Sequence, residues 1–227
     1  MQIELLNLHK TLGKNIALRG ITDIYESGKV HGIIGPNGAG KTNLMRIMAG
    51  LMFPAEGQII YGGIPGMAAQ GNFSAKQAKP FIGYFPQEPS LYPDLSCQEH
   101  LRFFAELYDM KEVLLLDEPT IGVDPVSRRE LWDIVYKSAA GNMTVILSTS
   151  YIDEAERCGK VHVLDEGRLI ASGTPQEAKR QSGTEKFEDI FLIPPTPAEH
   201  PLTRKRSAPR SADIAPSDGG NEHSKNI

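Results

Sequence analysis

Long hydrophobic runs are what this sequence most clearly lacks. The longest, such as Val113-Leu114-Leu115-Leu116, fall far short of the roughly 20 apolar residues that a membrane-spanning helix needs. Cysteine is nearly absent as well: Cys97 and Cys158 are two isolated thiols without the spacing of a metal site or a redox pair. They read as packing residues in a reducing compartment, and a disulfide scaffold is excluded. A strong charge of either sign is also missing. Lys and Arg number 24 against 28 Asp and Glu, a net charge of −4, so there is no basic footprint for nucleic acid or for an anionic membrane surface. The N-terminus shows no charged-then-apolar signal pattern, which makes the cytoplasm the expected address. What remains is a chain of 227 residues, 40% hydrophobic, enough for one domain of ordinary size with a substantial core.

Glycine is present where it carries chemistry. Gly35-Pro36-Asn37-Gly38-Ala39-Gly40-Lys41-Thr42 follows the apolar run Val30 to Ile34 and leads into a helical pattern from Asn43 to Leu51. Glycines in such a turn let successive backbone N–H groups converge on one anion. Lys41 can then reach terminal phosphates, and the Thr42 hydroxyl is placed to ligate Mg²⁺. The helix N-terminus behind the turn adds its dipole.

Around this loop the chain reads as an α/β core. Ile3 to Leu8 and Ile16 to Ile21 are short, partly alternating runs expected to pair as antiparallel strands, and Gln58 to Tyr61 is expected to return to the same sheet. Val30 to Ile34 is expected as a buried central strand. Residues 65–78 are small and polar, a surface segment, and Phe81 to Phe85 is a strand. Ser96 and Glu99 make a capping box ahead of an amphipathic helix. Val113 to Leu116 is a strand ending in two acids, Asp117 and Glu118. Asp124-Pro125 opens a helix that closes near Gly141, with Trp132 packed inside it. Thr144 to Ser148 is another buried strand, followed by a short helix from Ile152 to Arg157. Val161 to Leu164 and Arg168 to Ala171 form a hairpin, and Thr174 with Glu177 caps a last helix. From Pro194 the composition turns to Pro, Ser, Ala and mixed charge, including Arg204-Lys205-Arg206, and disorder is expected.

The order of these stretches resembles the ATP-binding cassette of ABC transporters, most closely those of drug-export systems, over roughly residues 1 to 193. Gly35 to Thr42 is similar to the phosphate-binding loop, and Tyr84-Phe85-Pro86-Gln87 to the glutamine segment. Val113 to Thr120 is similar to the acidic strand, and Gly122-Val123-Asp124-Pro125 to the loop that faces a second cassette. The resemblance implies a P-loop NTPase core with a mostly parallel sheet flanked by helices and a small N-terminal antiparallel layer. It implies ATP and Mg²⁺ as ligands. Glu118 would be the general base, Lys41 the phosphate clamp and Gln87 a sensor that also helps hold the metal with Thr42 and, through water, Asp117. The partners implied are a transmembrane permease and a second cassette, with this chain peripheral on the inner face of the cell membrane.

Three departures qualify that picture. Gln87 and Asp117 stand only 30 positions apart, where the family carries a helical subdomain and a Leu-Ser-Gly-Gly signature, and no such signature occurs in this sequence. The helical subdomain is therefore expected to be largely missing, with the junction near residues 108–112, leaving a domain of 1–193 and a disordered linker or tail of 194–227. Ser150 stands where the family usually has a histidine on the γ-phosphate, and Leu12 where it usually has an aromatic ring on the adenine. Turnover is then expected only beside a complete cassette. The alternative is an inert or truncated nucleotide-binding or assembly module.

Overall fold

The computed structural model describes residues 1–64, 66, 74–87 and 112–192. Two strands, β1 (Gln2–Leu12) and β2 (Asn15–Tyr25), form an antiparallel hairpin, and β4 (Glu56–Gly62) pairs antiparallel with the other edge of β1. This is the expected N-terminal layer, in the order β2-β1-β4. Both hairpin strands run longer than the alternating cores seen in the sequence. Their pairing is carried across register shifts near Leu5/Leu8 and Lys10/Thr11, where bulges interrupt the alternation that marks a strand.

The second sheet has the order β5-β6-β7-β3-β8-β9, built from β3 (Val30–Ile34), β5 (Ile82–Phe85), β6 (Val113–Asp117), β7 (Thr144–Thr149), β8 (Lys160–Asp165) and β9 (Arg168–Gly173). Every pair is parallel except the β8–β9 hairpin. Side chains alternate across it. Ile33, Leu115 and Ile146 join one core with Leu5, Leu44, Met48 and Tyr61, while Ile34, Leu116, Val145 and Leu147 join the other with Trp132, Val161 and Phe187. A sheet buried on both faces explains why its strands are continuous apolar runs.

Helix α1 (Lys41–Met48) starts at the loop and ends before the expected Leu51, because Gly50 turns the chain at φ +67°. Ser74 and Gln77 form a capping box on a one-turn helix, α2 (Ala75–Ala78), so the described end of the supposed surface segment is helical, with Ala78 buried. Helix α3 (Pro125–Ala140) has Asp124 as its cap, accepting from the N–H groups of Val126 and Ser127 at 3.0 and 3.1 Å. A hydrogen bond from the Ser127 hydroxyl, then the Ser127 N–H, holds the Asp124 carboxyl below its usual range. Helix α4 (Ile152–Ala155) is shorter than expected, and α5 (Pro175–Gln181) opens on the Thr174/Glu177 capping box. The helix expected after Ser96, the junction near 108–112 and the tail lie outside the described residues.

A buried polar chain joins the two sheets. Asp23 of β2 hydrogen-bonds His162 Nδ1, His162 Nε2 meets His31 Nδ1 at 3.0 Å, and His31 Nε2 faces the Glu26 carbonyl at 3.0 Å. A carbonyl only accepts, so His31 Nε2 carries a proton and its Nδ1 accepts from His162. Burial, then the neighbouring His162, lowers the His31 pKa to about 3 and keeps that ring neutral. Cys158 is buried beneath the central sheet, and burial pushes its thiol up to about 12, in keeping with a packing role.

Candidate functional site

The loop between β3 and α1 is shaped by close backbone approaches. A Cβ on Gly35 would lie 2.2 Å from the Leu164 carbonyl oxygen of β8, and one on Gly40, at φ +105°, would lie 2.6 Å from the Ala17 carbonyl of β2. Only glycine fits at either point. The Gly167 N–H donates to the Ala39 carbonyl at 3.0 Å, and the Ala39 N–H to Pro36 at 3.1 Å, so both sheets brace the turn. It opens on a cavity of about 130 Å³ lined by Asn37, Gly38, Gly40, Lys41, Thr42, Asn43, Gln87 and Glu118. Gly35 and Ala39 are buried behind that lining.

Lys41 folds back over the loop. Its ammonium donates to the Gly35 and Pro36 carbonyls at 2.7 and 3.2 Å and to Ser150 Oγ at 2.9 Å, and it pairs with Glu118 Oε1 at 2.9 Å. The two charged side chains are only 6% and 3% exposed. Glu118 is gripped further by Ser150, whose hydroxyl donates to Oε1 at 2.7 Å and whose backbone N–H donates to Oε2 at 3.0 Å. The Glu118 carboxylate is thus the anion that the Lys41 ammonium holds.

Asp117 lies beneath Thr42 and is fully buried. Its Oδ1 accepts from the Thr42 hydroxyl at 3.3 Å and from Ser148 Oγ at 2.6 Å, while Oδ2 accepts from the Tyr84 hydroxyl at 3.2 Å. Burial, then the negative charge of Asp117, raises the Tyr84 pKa, so the phenol remains a donor.

Residues present here suit both a phosphate chain and a hard dication. The first N–H groups of α1 have no intrahelical acceptor and point toward the cavity end of the helix, with Lys41 among them. Thr42 and Asp117 bring a hydroxyl and a carboxylate together, the oxygen donors Mg²⁺ prefers. Among the described residues no cluster of three or more His, Cys, Asp or Glu could hold a metal alone, so a metal here would take further ligands from phosphate and water.

The structure therefore brings together Lys41, Thr42, Gln87, Asp117 and Glu118 from three separate stretches. Leu12 sits at the end of the β1–β2 hairpin, 44% exposed, with Ile16 beside it at 47%. Ser148 and Tyr84 escaped the sequence reading. A serine closing the run Val145-Ile146-Leu147 was the available signal for the first; Tyr84 opens the glutamine segment, but nothing in the sequence marked its hydroxyl as a partner of Asp117.

Fold and loop together define a P-loop nucleotide-binding core. A solved chain titled "Structure of ATP binding subunit of ABC transporter" overlays with a TM-score of 0.68 at 23% identity, covering 85% of this chain and 98% of that one, which shows the shared fold. The family described as "ABC transporter" matches residues 18–114. "Daunorubicin resistance ATP-binding protein DrrA3" of Streptomyces coeruleorubidus is 30% identical over 80% of this chain and 71% of its own length. "Probable multidrug ABC transporter ATP-binding protein YbhF" of Escherichia coli K12 is 30% identical over 82% of this chain. The chain belongs to the ABC transporter family of ATP-binding proteins. It spans 39% of the length of YbhF. That alignment runs over 233 positions, more than the 227 residues of this chain, so the relative carries residues within the match that this chain lacks. Among the described residues no helix is long and apolar enough to cross a membrane.

Proposed function

We propose that this chain is the ATP-binding and ATP-hydrolysing component of an ABC-type exporter, acting on a transmembrane permease at the inner face of the cell membrane. The observation that carries this reading is the convergence of Lys41, Thr42, Gln87 and Glu118 on one cavity with Asp117 directly beneath it. Residues 1–193 are the ATP-binding domain in this reading, shortened near 108–112, and 194–227 a linker or tail. Relatives named for daunorubicin resistance and multidrug transport favour a drug-like exported compound.

Phosphoryl transfer asks the protein for positioning and charge neutralisation rather than covalent chemistry. The backbone from Gly35 to Thr42 would cradle the phosphates, and Lys41 would leave Glu118 for the terminal phosphate oxygens. That exchange frees the Glu118 carboxylate to orient a water. As the water oxygen bonds to the γ-phosphorus and the bond to the ADP oxygen breaks, Glu118 takes the water's proton. When bound, Mg²⁺ would supply charge neutralisation to the phosphates; Thr42, Gln87 and, through water, Asp117 are the residues that would hold it. Ser150 donates one hydrogen bond where the family offers an imidazole, a deficit worth about 10²–10³ in rate by analogy with losing one transition-state donor. Leu12 offers the adenine an apolar contact without a ring, about 1–3 kcal/mol weaker than stacking. With no signature stretch in the sequence, a complete partner cassette would supply the opposing half of the clamp.

Calorimetric titration of MgATP tests the binding half of this reading. Wild-type protein is expected to bind saturably, and Lys41→Met to bind at least tenfold more weakly. Equal affinity in the two proteins would overturn it.

A further inference from the structure

We infer that Ser148 is the positioning residue that aims both acids of the site, an inference that rests on the nucleotide-binding reading above. Strands β6 and β7 are parallel with Asp117 and Ser148 as register partners, which puts the serine hydroxyl beside the acidic strand end. Ser148 is fully buried. Its single hydroxyl proton goes to Asp117 Oδ1 at 2.6 Å, and its lone pairs then face the Glu118 N–H, which donates to Ser148 Oγ at 2.9 Å. One orientation of one hydroxyl satisfies both.

Two consequences follow for the two acids. Held at Oδ1 by Ser148, the Asp117 carboxylate keeps that oxygen toward Thr42 and the other toward the Tyr84 hydroxyl, so its plane is fixed. Glu118 stands at φ +50°, a left-handed conformation that a side chain of this kind adopts only when its surroundings hold it. Its N–H is shared between the Ser148 hydroxyl and the Ser148 carbonyl, the latter at 3.2 Å, and that shared bond holds the turn. Removing the hydroxyl leaves Asp117 Oδ1 with the longer Thr42 contact alone and Glu118 N–H with the longer carbonyl contact alone. The hydrogen bonds of the Ser148 side chain go to Asp117 and Glu118, and none goes to Lys41 or to the glycine loop.

The inference separates metal-dependent from metal-independent binding. ATP is titrated into wild-type protein, Ser148→Ala and Ser148→Thr, once with Mg²⁺ and once with EDTA, with thermal melts alongside. Ser148→Ala is expected to bind metal-free ATP within about twofold of wild type, while the gain on adding Mg²⁺ falls by about tenfold, the lower end of the range for partners that orient metal ligands. Ser148→Thr keeps the hydroxyl and is expected to recover most of the gain. A full Mg²⁺ gain in Ser148→Ala, or an equal loss of both affinities as a merely structural role would give, overturns the inference. Wild-type protein that binds no ATP overturns the reading beneath it instead.

Discussion

Lys41 and Glu118 form a buried ion pair at the centre of the site, and buried pairs are costly to break from one side. Lys41→Met leaves the Glu118 carboxylate, 3% exposed, with only the two Ser150 donors. Urea denaturation is expected to show a loss of about 3 kcal/mol for that single change. In a Glu118→Gln background the same substitution is expected to cost clearly less, a coupling of roughly 1–3 kcal/mol. Additive losses would contradict the pairing. At this scale the sequence was legible where chemistry is written in residue types: the loop, the two acids and the glutamine all come to one place. Direct pairing of Lys41 with Glu118 was not legible, because it depends on Ser150 turning back from the end of β7 to hold the carboxylate. Nor was the bond from Tyr84 to Asp117, since a tyrosine in a strand reads the same whether its hydroxyl meets water or an acid.

Elements were legible to the extent that one periodicity ruled them. The continuous runs of β3, β6 and β7 and the capped starts of α3 and α5 appear where the sequence puts them. The ends of α1 and α4 were misjudged, since short helices stop where the local turn allows rather than where apolar spacing fades. The polar chain from Asp23 through His162 to His31, linking β2 with β8 and β3, left no trace in the sequence at all. Its effect on stability has a definite sign. His31 has its pKa lowered from 6.5 to about 3 in the folded protein, so below pH 6.5 the unfolded chain takes up a proton that the folded chain refuses. This contribution is complete above pH 6.5 and is lost progressively as pH falls toward 3. Between pH 6.5 and 5, urea denaturation of wild type should lose stability faster than that of His31→Gln, by up to about 1.4 kcal/mol per pH unit. Parallel profiles would show that the ring is protonated in the fold.

For the molecule as a whole, two sheets meet at the phosphate loop. β2 and β8 brace Gly40 and Gly35, and the acidic strand end and the turn after β7 close on Lys41 from the other side. In the proposed function the described residues would supply one half of a nucleotide clamp, and the sequence contains no signature stretch to supply the other half for a second copy. This chain is therefore expected to hydrolyse ATP only beside a complete cassette. The most direct measurement is MgATP turnover by the purified chain alone, by a complete cassette alone, and by the two together. The complete cassette carries its own signature-independent knockout at the base, so that any turnover must come from Glu118. Activity that appears only in the mixture, and disappears when this chain carries Glu118→Gln, is the predicted result. Turnover by this chain alone, or a mixture that stays silent while both chains bind nucleotide and associate, would contradict it.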